Sequence, residues 1–191
     1  MKRLCRFLIA GLAVAGTVVA ATPASARPID KGHFHDFPSG VIDFCPGISA
    51  KFSGDVSGNF VFNQRGSSPF PYFRESVHGT FVATNLETGG TLTNVFTANS
   101  RDHSIVDNGD GTITITSFAS GVSRLYDATG KLVLIDAGQT RFAVDVDYNG
   151  TPGNPDDDHV VDGSFRIVRP STGRNDLEGR DFCADLAEFT S

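Results

Sequence analysis

The spacing of apolar residues changes character along this chain. After a short basic start at Lys2, Arg3 and Arg6, the stretch from Phe7 to Ala21 carries no charge and ends at Ala24-Ser25-Ala26. That order of basic, apolar and small-residue segments predicts a signal peptide over residues 1–26, with the mature chain starting at Arg27. The apolar run falls short of the roughly 20 residues that cross a bilayer, and no second run of that length follows, so no membrane span is expected.

From Ala50 onward the apolar period is two. Asn59-Phe60-Val61-Phe62-Asn63, Thr112-Ile113-Thr114-Ile115-Thr116, Arg141-Phe142-Ala143-Val144-Asp145-Val146-Asp147 and Ser164-Phe165-Arg166-Ile167 all alternate. Such alternation predicts strands with one covered and one wetted face. Lys131-Leu132-Val133-Leu134-Ile135 is apolar on both faces, as in a central strand or one covered by the chain termini. Asn108-Gly109-Asp110-Gly111, Ala128-Thr129-Gly130 and Glu87-Thr88-Gly89-Gly90 supply turn chemistry between the runs. The last element changes period: Asp181 caps a short helix in which Phe182, Leu186 and Phe189 share a face.

These elements predict an all-β fold over residues 27–191, one β-rich extracellular domain. Its strands form an antiparallel meander closing into a barrel of about eight, with a short C-terminal helix. A two-sheet β-sandwich is the alternative. All but one of the sixteen phenylalanines follow the leader, and there is no tryptophan. Nine of them fall on or near predicted strands, so the core is either packed with phenylalanine or lines a barrel that holds an apolar small molecule.

Charge removes one class of partner. The formal net charge is −6, and loss of the three basic leader residues makes the remainder more acidic still. Nucleic acid is not an expected partner, because its phosphates would be repelled. Cys45 and Cys183 are left after cleavage, and an even pair in an oxidising compartment reads as a disulfide between the start and end of the domain. That bond would pin the helix to the sheet.

Two clusters are candidates for metal chemistry. Asp145-x-Asp147-x-Asn149-Gly150, with Asp156 at the twelfth position, has the oxygen spacing and glycine turn of a calcium loop. The competing interpretation is a long acidic hairpin loop stiffened by Pro152 and Pro155. His33-x-His35-Asp36 would put two imidazoles on one strand face, as a metal site requires. No Gly-x-Ser-x-Gly elbow or phosphate-binding glycine loop occurs, so no catalytic residue is assigned.

The chain resembles a set of small exported proteins of high-GC Gram-positive bacteria. The resemblance runs through Asp30-Lys31-Gly32-x-Phe34-His35-Asp36, Asp43-Phe44-Cys45 and Asp107-Asn108-Gly109-Asp110-Gly111-Thr112. It continues in Gly150-Thr151-Pro152 with Asp156-Asp157-Asp158, Ser171-Thr172-Gly173-Arg174 and Asp181-Phe182-Cys183. It implies secretion and carries no activity. At the level of fold alone, a stapled eight-stranded barrel is similar to dirigent proteins and allene oxide cyclases. The expectation is an exported, non-catalytic module that binds an apolar small molecule or a cell-envelope component. The alternative is an isomerase- or cyclase-like barrel enzyme acting on an apolar small molecule.

Overall fold

A computed structural model describes residues 28–191, so the signal peptide predicted over residues 1–26 lies outside the described residues. The described residues form one antiparallel sheet with a single α-helix. Five long strands make its body: β3 (Ala50–Asn63), β4 (Tyr72–Asn85), β5 (Thr91–Asp107), β6 (Thr112–Tyr126) and β7 (Leu132–Asp147). Each pairs with the one before it; residues 64–71 connect β3 to β4, and the later strands follow through turns of four or five residues at the predicted turn sequences. At the β5–β6 turn, Gly109 and Gly111 take φ of +78° and +94°, a region that side chains disfavour. The Asp110 carboxylate accepts from the Thr112 amide at 3.0 Å and closes the turn.

The two sheet edges are broken strands. β1 (Pro28–Asp36) and β2 (Ser39–Ile42) run in succession along β3, interrupted at Phe37-Pro38. Along β7 lie β8 (His159–Val160), β9 (Arg166–Arg169) and β10 (Arg174–Asn175). The alternative of two stacked sheets does not occur. The single sheet curls into a half-barrel, and among the described residues no ladder joins the β1–β2 edge to the β8–β10 edge.

Side-chain alternation gives the sheet an inner and an outer face. Following the register, Phe52, Ala83 and Leu92 share the inner face at one end; Leu125 and Leu134 lie opposite each other on the same face. They form one core cluster with Ile42, Cys45, Ala50 and Leu186. A second cluster at the far end joins Phe70, Ile113 and Val146. The doubly apolar run at Leu132–Ile135 begins with an exposed Leu132 and is covered from Val133 onward. Leu134 belongs to the first cluster, Val133 packs against it, and the C-terminal segment covers the strand through the Asp176 amide donating to the Ile135 carbonyl at 2.9 Å.

Helix α1 (Phe182–Phe189) closes the first cluster. Asp181 caps it by accepting from the Ala184 amide at 2.9 Å, as its sequence position predicts. Leu186 is fully buried against the sheet. Beyond the helix, Thr190 is also buried; its hydroxyl accepts from the Asn85 side-chain amide at 3.2 Å, and its carbonyl accepts from the Thr88 hydroxyl. The Cys45–Cys183 disulfide joins positions 138 residues apart and ties the loop after β2 to the helix.

Candidate functional site

The curl of the sheet and the helix laid across its end enclose an apolar cavity of about 500 Å³. Its floor is Phe52 and Phe81 with Ala83, Leu92 and Leu125; its roof is Leu177, Phe182, Arg180 and Asp185. The rings are seated by glycines. A Cβ on Gly40 would stand 2.9 Å from the Phe52 ring, and one on Gly54 would stand 2.7 Å from the Phe81 ring. Phe81 stacks on Phe96, with centroids 5.7 Å apart and planes 10° apart. A continuous aromatic wall therefore runs from the cavity along the inner face.

Two more phenylalanines stand at the rim. Phe44 and Phe182 are 67% and 42% exposed, and their centroids are 6.0 Å apart. Each precedes one half of the disulfide, so the covalent bond that closes the fold also brings these rings together. Exposed rings of this size beside an apolar cavity are what ligand sites and partner sites leave uncovered.

The polar groups of the cavity already have partners. Asp185 is buried and accepts from Arg180 Nε at 2.6 Å, while Arg180 Nη2 donates to Glu188 at 2.7 Å. The Asn94 side-chain oxygen accepts from the Ser123 hydroxyl at 2.6 Å. Asn94 also begins a trough of about 410 Å³ that continues along the inner face over Ala98, Ala119, Gly121, Ser123 and Gly138. Small side chains leave that space open.

A separate apolar cavity of about 310 Å³ lies at the far end, bounded by Phe62, Phe70, Phe73 and Phe142. Asp102 is on its wall and only 7% exposed. Burial pushes its carboxyl above the usual carboxylate range; the Phe73 amide and Ser117 hydroxyl, each donating at 2.8 Å, oppose that shift. Sequence patterning gave no sign of Asp102. It follows Leu92, Phe96 and Ala98 in the regular alternation of β5 and pairs with Ser117, and the break in register comes only after it, between Asp102 and Ser104.

The sequence-predicted sites fare differently. Cys45 and Cys183 are bonded, with Cα atoms 5.2 Å apart. Asp145 is taken up by Arg166, which donates through both terminal nitrogens at 3.0 and 3.1 Å, and by the Thr114 hydroxyl at 2.7 Å. Those hydrogen bonds, Arg166 first, hold its carboxyl below the usual range. Asp147 accepts from the Asn149 amide at 2.9 Å, and Asn149 reaches the Asp157 carbonyl. Asp156 donates its own amide to Asn154 at 3.4 Å. Among the described residues no group of three or more His, Cys, Asp or Glu side chains is arranged to hold a metal ion. His33 and His35 share the outer face of β1 as their spacing predicts, but His35 pairs with Asp55 at 2.7 Å.

No protein-family model, curated protein or solved structure matches the chain.

Proposed function

We propose that this is an exported, non-catalytic binding module that takes an elongated apolar small molecule into the cavity beneath the C-terminal helix. The observation that carries the reading is the cavity itself: about 500 Å³, walled by Phe52, Phe81, Leu92 and Leu125, with Phe44 and Phe182 exposed at its mouth. Volume and lining fall in the range of small-molecule sites, in which apolar walls supply affinity and a few polar groups set orientation. Export is supported by the disulfide, which belongs to oxidising compartments, and by the leader pattern. No helix among the described residues is long and apolar enough to cross a membrane.

The lipophilic dye N-phenylnaphthylamine tests the reading. Its fluorescence should rise on binding the disulfide-bonded protein and saturate at one dye per chain. Ala83→Phe, which fills the cavity from its floor, should abolish the rise while the protein still melts cooperatively. An undiminished rise with Ala83→Phe would reject this cavity as the site.

A second reading attaches to Asp102. A carboxyl pushed toward its neutral form in a phenylalanine-lined cavity has the character of a general acid, as an isomerase- or cyclase-like enzyme would need. In that case an apolar substrate would be turned over, and Asp102→Asn would stop turnover while leaving dye binding under the helix intact.

A further inference from the structure

The outer face carries a line of cations that neither the core nor the cavity requires. In register across the sheet, Lys31 on β1 stands beside Val61, then Arg74, Arg101, Phe118, Arg141 and finally Arg169 on β9. Strands lie about 4.8 Å apart, so the row runs about 29 Å along the curved sheet. Arg74 and Arg101 are direct cross-strand neighbours, as are Arg141 and Arg169. Like charges in that relation are destabilising. Among the described residues none of these five cations forms an ion pair, although the chain as a whole is acidic.

The guanidinium groups are held in place. Phe118 carries Arg141 at 4.3 Å from its centroid and Arg101 at 5.6 Å, while His103 meets the same ring at 4.9 Å. Arg141 Nε is buried without an acceptor, so the ring, not a carboxylate, orients this side chain. A second row lies parallel to the first, one inter-residue step along the same face: His33, Asn59, Ser76, Asn99, Ser120 and Gln139. A groove of about 320 Å³ lies between the rows, with Arg74, Arg101 and Phe118 on one side, Asn59, Asn99 and Gln139 on the other, and Glu75 as the one acidic residue on its wall.

We propose that this outer face binds an acidic polysaccharide, with carboxylates along the arginine row and sugar hydroxyls against the amide and hydroxyl row. Planar guanidinium forks match carboxylates. Asn, Gln and Ser both donate and accept, which suits hydroxyls. A lipid surface would call for exposed apolar side chains among the cations; the two in the row, Val61 and Phe118, are half-buried, and the adjoining row beyond His33 is amide and hydroxyl. Nucleic acid would call for open aromatic faces on which bases stack, and the one aromatic ring in the row is already occupied by Arg141.

Binding of the full disulfide-bonded chain to polygalacturonate, with neutral dextran as comparison, tests this. Polygalacturonate should bind with an affinity that falls as salt rises, and dextran should not bind. Arg101→Ala with Arg141→Ala should weaken binding about tenfold or more. The double Lys replacement should retain part of it. Arg124→Ala removes one positive charge from the outer face about 20 Å along β6 and should change little. Melting curves of each variant separate lost binding from lost folding. No binding to polygalacturonate by the folded parent, equal binding to dextran, parental binding by a folded double-Ala variant, or binding to polyphosphate or duplex DNA in its place would overturn the proposal.

Discussion

Phe44 and Phe182 face each other at 6.0 Å across the mouth of the apolar cavity because Cys45 and Cys183, the residues that follow them, are covalently joined. One bond therefore serves folding and the site together. In the chain-entropy model a loop of this length stabilises by at most about 5 kcal/mol. Reduction, or Cys45→Ser with Cys183→Ser, should lower the melting temperature and weaken N-phenylnaphthylamine binding in parallel. A melting curve and dye titration with and without reductant check both.

On the proposed reading the rim rings contact the ligand rather than support the fold, since both are substantially exposed. Phe44→Ser and Phe182→Ser should each leave the melting temperature within a degree or two, given that exposed substitutions change stability by about 0.5 kcal/mol or less. Dye affinity should fall in both. A large drop in melting temperature would assign the rings to the core instead.

Leu186 is the opposite case. It is fully buried where the helix meets β4 and β5. Leu186→Ala should cost about 3 kcal/mol through lost transfer energy and a residual cavity. Urea unfolding would measure it.

Acid stability follows from the carboxylates. Asp110, Asp127, Asp145 and Asp176 are all held below the usual value of 3.8, chiefly by hydrogen bonds from Thr112, Thr129, Arg166 and Arg174. Groups lowered in the folded state stabilise above the unfolded value, and that contribution is lost as pH falls through the folded values. Asp102 has the opposite sign: its raised carboxyl favours the fold below the usual value, and that contribution is lost as pH rises through its folded value. Melting temperature should therefore decline as pH drops below about 4. Asp102→Ala should remove the component that opposes this decline, making the decline steeper in a melting series across that range.

Much of this fold is legible in the chain because alternation and turn chemistry are local. Thr112-Ile113-Thr114-Ile115-Thr116 and Arg141–Asp147 are strands where the pattern puts them, and Asp181 caps the helix it precedes. The same pattern could not say how far the sheet curls, since that depends on twist and on edge pairing between segments distant in sequence. The broken edges illustrate the point: β1 and β2 both lie alongside β3, and neither Phe37-Pro38 nor Gly32 announces a partner. Phe118 is a clearer case. Among the strand phenylalanines it looks like core, yet register turns it to the outer face among arginines. The arginine row is invisible in sequence for the same reason: its members are separated by whole strands and meet only across the ladders.

Native mass spectrometry of the protein recovered from culture supernatant tests the cavity most directly. The expected spectrum contains a species heavier than the disulfide-bonded chain by one apolar small molecule, lost on denaturation and missing from Ala83→Phe. A bare disulfide-bonded mass, together with no binding of N-phenylnaphthylamine, would contradict a ligand-binding role for the cavity.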